Sequence, residues 1–153
     1  LEGGDILRLG RRWYVGITAR TNQAGFEQFR SAVETLGHEA YPVAIRDLLH
    51  LKTGVARLDD QTVLALPALT QTFHSWGYRV LSVPAEEWHA ANVIAVGRRV
   101  LMPAGHPGVS RLLAENGFEA LEVDLSEFKK QDGGATCLSI LLPGTEAAFG
   151  ENC

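Results

Sequence analysis

The sequence is poor in sulfur: of 153 residues, two are cysteine (Cys137 and Cys153) and one is methionine. Two cysteines cannot build a disulfide framework, so a reducing, cytoplasmic setting is expected. There is no CxxC and no HExxH, and His38, His74, His89 and His106 have no paired ligand spacing. A metal site is therefore not expected. Neither GxGxxG nor a P-loop occurs, which leaves nucleotide binding without support. No apolar run approaches the roughly 18 residues of a membrane-spanning helix. The opening LEGGD lacks the basic and apolar regions of a signal peptide. Lysine and arginine number 14 against 18 acidic residues, for a net charge of −4, which argues against nucleic acid as a partner.

What is present is the balance of a globular protein, 46% hydrophobic and 21% charged, long enough for one domain with a substantial core. The chain opens at Leu1 without methionine and enters a strand almost at once. This suggests part of a longer chain or an engineered boundary.

The sequence then repeats itself. Three segments share one grammar of strand, turn, strand, short amphipathic helix, glycine and third strand. Gly37, Gly77 and Gly117 mark the helix ends, each 40 residues after the last. A glycine just past a helix can adopt the left-handed conformation that closes the final turn. Phe26, Phe29, Val33 and Leu36 fall on one helical face, with Thr21 and Asn22 as candidate caps. Leu69, Phe73 and Trp76 repeat that face, Leu112 and Leu113 anchor the third, and Pro107 stands near its start. The pairs DILRLG/WYVGIT, VARLDD/VLALPA and NVIAV/VLMPAG read as hairpins. GRRW (10–13) and GRRV (97–100) fit solvated hairpin turns, and Trp76 and Trp88 are expected to pack in the core. The fold class is thus α/β: three ββαβ modules, plus TCLSILL (136–142) as the first strand of a fourth. Such modules must stack or close a ring to bury their faces. Three and a fraction leave open edges, so a second copy, a partner chain or further modules should cover them. Residues 1–143 form one domain, and 144–153, including Cys153, read as a flexible tail.

Polar residues cluster where each repeat begins: Glu2, His50, Asn92 and Cys137. Equivalent positions around an axis converge, which would bring a cysteine, a histidine and a carboxylate together. That set suits nucleophilic catalysis by a thiolate, an imidazole that manages protons and an acid that orients it. Singly, each has an ordinary structural explanation: a small buried cysteine, a satisfied core histidine, a solvated terminal glutamate.

Together with their surroundings they say more. LEGGD (1–5), VGITARTNQ (15–23), HLKTG (50–54) and SEFKKQDGGATCLS (126–139) resemble, in this order, the guanidine-modifying enzymes of the arginine deiminase superfamily. Within them the resemblance is to the dimethylarginine dimethylaminohydrolases. It implies that Cys137 is the nucleophile, His50 the general acid and base, and Glu2 the carboxylate supporting it. It further implies that Arg20 holds the substrate's α-carboxylate, a task suited to a bidentate guanidinium, and that the Gln131 carbonyl accepts the α-ammonium. Related arginine deiminases carry Asp where this chain has Lys52, so Lys52 points to an Nω-methylated arginine as the small-molecule substrate. The resemblance implies a pentein-like α/β-propeller of five modules and no cofactor. About two modules, with the acidic guanidinium cradle and the lid, would lie outside this chain. Arginine deimination, amidino transfer and a non-catalytic module completed by a partner are the rival readings.

Overall fold

The computed structural model describes residues 1–142. Its first module comprises β1 (Ile6–Leu9), β2 (Arg12–Ile17), α1 (Gln23–Glu34) and β3 (Glu39–Ala44). The second opens on the short α2 (Leu51–Gly54), followed by β4 (Val55–Arg57), β5 (Thr62–Ala65), α3 (Pro67–Ser75) and β6 (Arg79–Ser82). The third comprises β7 (Ile94–Val96), β8 (Arg99–Pro103), α4 (Pro107–Glu115) and β9 (Glu119–Val123), with the single-turn α5 (Ser126–Lys129) after it. Each module is a three-stranded sheet in which an antiparallel hairpin is followed, across its helix, by a parallel strand. The expected threefold repeat is therefore present. Gly37, Gly77 and Gly117 all take positive φ, as the helix-ending turn requires. Asn22 caps α1 by accepting from Gly25 N at 2.9 Å, and prolines start α3 and α4. No helix among the described residues is long and apolar enough to cross a membrane.

Equivalent strand pairs show how the modules stack. Tyr14 is registered with Tyr41, Leu64 with Leu81, and Leu101 with Leu121. Tyr14 packs against Phe73, Trp76 and Tyr78 of the second module, and its hydroxyl donates to Tyr78 at 2.9 Å. Burial and this bond push the Tyr14 hydroxyl pKa well up. Leu64, Leu81 and Val83 join one cluster with Val109, Leu113 and Phe118 of the third module. Each sheet thus packs its own helix on one face and the next module on the other. On the third module no other module among the described residues covers the second face, and Leu121 and Val123 are 40% and 38% exposed.

Three expectations need correction. TCLSILL (136–142) is not a paired strand: Ala135–Leu138 forms a 3-10 turn, and the chain then runs without ladder bonds to Leu142. A strand exists through its partners, and no strand among the described residues pairs with it. Leu36 is 74% exposed. It occupies the place that Trp76 holds one residue before its glycine, but Trp76 packs on Tyr14 and Tyr41 of the first module, and among the described residues no other module covers Leu36. Trp88 is 41% exposed and stacks on His89 rather than packing in the core. The 144–153 tail and Cys153 lie outside the described residues.

Candidate active site

The chain does bring Glu2, His50 and Arg20 together. His50 Nε2 lies 2.7 Å from Glu2 Oε2, and Arg20 Nη1 lies 3.2 Å from Glu2 Oε1. A carboxylate only accepts, so the imidazole donates from Nε2 and its Nδ1 is left for other proton chemistry. The bond from His50, then that from Arg20, holds the Glu2 carboxyl below its ordinary value of 4.5. His50 is only 17% exposed and packs flat on Gly4. A Cβ at position 4 would stand 2.6 Å from the ring, which explains why the turn carries glycine there.

The loops bearing these residues meet at Asp5, which is fully buried. Its Oδ2 accepts from Thr21 Oγ1 at 2.6 Å and Thr18 Oγ1 at 2.9 Å, and its Oδ1 from Leu51 N at 3.0 Å. Thr21, a candidate helix cap from sequence, instead gives its hydroxyl to this carboxylate and accepts Glu2 N at 3.0 Å. In the sequence the GGD run reads as a turn, which hides Asp5. The available signal was an acid placed directly before the apolar ILRL, since a buried carboxylate needs donors.

Cys137 lies in the 3-10 turn Ala135–Leu138 and is exposed. Its N donates to Gly134 O at 3.0 Å. The same turn is hung from Asn92, whose Oδ1 accepts Thr136 N at 2.9 Å. Asn92, the polar residue opening the third repeat, thus braces the cysteine turn. A Cβ at Gly134 would meet the side-chain amide of Asn92 at 2.5 Å, so the Asn92 side chain fills the place a side chain at 134 would take. Lys52 lies in α2, half-buried. Burial lowers the pKa of its ammonium, opposed by its electrostatic interaction with the nearby Cys137 and Asp5. A cavity of about 310 Å³ beside the turn includes Lys52, Thr136 and Ser139 in its walls. A second, of about 290 Å³, is lined by Asn92, Gly134, His89 and Trp88 among others. Gln131 is exposed, and its N donates locally to Phe128 O. The turn continues through Asp132 at φ 56°, a left-handed conformation uncommon outside glycine and asparagine. Among the described residues no group of three or more His, Cys, Asp or Glu is placed to hold a metal ion.

No family model matches the chain. An N(G),N(G)-dimethylarginine dimethylaminohydrolase of Pseudomonas aeruginosa is 39% identical over 140 residues, which is 92% of this chain and 55% of that protein. The enzyme of the same name from Streptomyces coelicolor is 44% identical over 142 residues, 93% and 54% respectively. A solved structure of the Pseudomonas aeruginosa protein, a mutant complexed with citrulline, superposes with a TM-score of 0.81 at 38% identity. The superposition covers 88% of this chain and 52% of that one. The chain is a homologue of the dimethylarginine dimethylaminohydrolases and has their fold over the shared part. It spans about half the length of the curated relatives it matches.

Proposed function

We propose that this chain carries the thiol, the proton-handling pair and the carboxylate clamp of a hydrolase acting on Nω-methylated arginine. The products are L-citrulline and methylamine or dimethylamine. The observation that carries this reading is the 2.7 Å contact between His50 and Glu2, with Arg20 on the same carboxylate, in a homologue of enzymes named for that reaction.

In the proposed reaction the Cys137 thiolate adds to the guanidinium carbon. The methylated amine leaves with a proton from His50, and a thiouronium adduct stays on the sulfur. Water then attacks that carbon while His50 takes a proton from it, and collapse expels the thiolate and yields citrulline. Glu2 accepts from His50 Nε2 throughout and offsets the charge of the imidazolium. The Lys52 ammonium lies near Cys137, in place of a carboxylate that would grip an unsubstituted guanidinium. Arg20 turns from Glu2 to the substrate's α-carboxylate, and the Gln131 carbonyl receives the α-ammonium.

Incubation with asymmetric dimethylarginine should release citrulline and dimethylamine in equal amounts, and Cys137→Ser should abolish both. Ammonia in place of dimethylamine would make the reaction a deimination, and turnover retained by Cys137→Ser would remove the assigned nucleophile.

A second reading is favoured by the uncovered sheet of the third module. Leu121 and Val123 are exposed where the equivalent faces of the first two modules are covered. On that reading the ring is incomplete, and the chain works only with further modules or a partner. It gives no product alone, and sedimentation shows association that grows with concentration.

A further inference from the structure

We infer that Asp5 is the positioning residue of the proposed site, orienting Glu2, Arg20 and His50 at once through one buried carboxylate. The inference rests on the reading of those three residues as machinery. Each is tied to Asp5 by a separate path. Glu2 N donates to Thr21 Oγ1, which donates to Asp5 Oδ2. Arg20 N donates to Thr18 Oγ1 at 3.0 Å, which also donates to Oδ2. Leu51 N, the peptide next to His50, donates to Oδ1.

The direction of these bonds is fixed by chemistry. An ionised carboxylate accepts only, so both threonine protons must point to Asp5 and their lone pairs must turn to the backbone of residues 2 and 20. Asparagine at position 5 has the same size but the wrong polarity. Its amide would face either the two hydroxyl donors or the Leu51 N–H, and one side of the network would be left donor against donor. The fold makes room for the acid: Gly16 has no side chain where a Cβ would meet Asp5 Oδ1 and Leu51 Cβ at 2.9 Å each. Of the charged groups nearby, the half-buried Lys52 of α2 interacts with it electrostatically.

The test is the imidazole proton of His50 in the intact chain. In the unsubstituted protein the Nε2–H held by Glu2 should give a downfield proton resonance, and its loss in Glu2→Gln assigns it. Asp5→Asn should lose or strongly shift that resonance although positions 2 and 50 are unchanged. Where turnover is measurable, kcat should fall roughly 100-fold, the order expected for ångström-scale misplacement. Thr18→Val, which cuts the path to Arg20 and the 3.2 Å bond from Thr21 N but leaves Thr21 Oγ1 on Asp5, should keep the resonance and raise KM. Should Asp5→Asn fail to fold, Thr21→Val, which cuts the path to Glu2, is expected to shift the resonance in a folded chain. A folded Asp5→Asn, or failing that a folded Thr21→Val, with the His50 resonance of the parent overturns the inference. Absence of product from dimethylarginine in every variant removes the functional reading instead, and leaves the spectroscopic result to decide on Asp5.

Discussion

Glu2, Arg20 and His50 stand on three loops that converge on the buried carboxylate of Asp5, whereas the segment carrying Gln131 and Cys137 lies on the surface. That second segment is braced by Thr136 N on Asn92 and by a single 3-10 turn, and Ile140, Leu141 and Leu142 beyond it are 86%, 60% and 64% exposed. The difference shows how a fold of stacked modules distributes precision. Inside the stack a buried acid with three donors leaves each loop one arrangement, because any lost donor exposes a charge to a medium that cannot solvate it. Among the described residues no further sheet lies past the third module. The cysteine turn therefore depends on its own hydrogen bonds and on whatever covers Leu121 and Val123.

The strongest way to break this contrast is Gly4→Ala. The new methyl would lie within 2.6 Å of the His50 ring, so the imidazole must leave Glu2. Turnover should fall roughly 100-fold, and denaturant unfolding should show a loss of about 1–3 kcal/mol from overpacking. Unchanged activity would mean that His50 does not work from the observed position. Next in size is Asn92→Ala, which removes the acceptor of Thr136 N. The expected loss is about 0.5–1.5 kcal/mol, read as faster amide exchange in 135–138 with exchange at Leu51 unaffected. Equal acceleration at both sites would erase the distinction between the two regions.

Acid sharpens the same comparison. The Glu2 carboxyl is held below 4.5 in the fold by His50 and Arg20. Its pairing therefore contributes fully above the unfolded value and is lost as pH falls through the lowered folded one. The downfield His50 proton should persist to below pH 4.5 and disappear only under stronger acid. Disappearance well above that value would show that Glu2 is not the partner in solution. The smallest effect belongs to Lys130→Ala on the surface segment. Its ammonium pairs with Glu127 at 2.7 Å, but both side chains are well exposed. The cost should stay below about 1 kcal/mol in a thermal melt, and a larger loss would reveal packing around Gln131 that the exposed geometry does not contain.

Much of this was readable beforehand, for physical reasons that differ from residue to residue. Gly37, Gly77 and Gly117 announce helix ends because the left-handed turn is a local property of the backbone. Tyr14, Leu64 and Leu101 fall at equivalent registers because strand alternation is local too. Leu36 and Trp88 were misjudged because their burial depends on a neighbour, and neither periodicity nor hydrophobicity says whether that neighbour is there. TCLSILL has the composition of a strand but holds a 3-10 turn and no strand, for the same reason. Glu2, His50 and Arg20 were legible as a set through the motifs around them, while Asp5 was hidden in a run that reads as a turn.

The sequence by itself determined the module: its hairpin, its capped helix, its glycine stop and the polar residue at its head. These follow from backbone conformations and side-chain periods that span a few residues. Only the tertiary structure decided which polar heads meet. Glu2 and His50 lie 48 residues apart in the chain and 2.7 Å apart in space, because stacking two modules sets their opening loops against each other around a shared buried acid. Asn92, at the head of the third, was turned instead to hold the cysteine loop. That choice rests on which donors each loop presents once the sheets have packed, a quantity no single repeat contains.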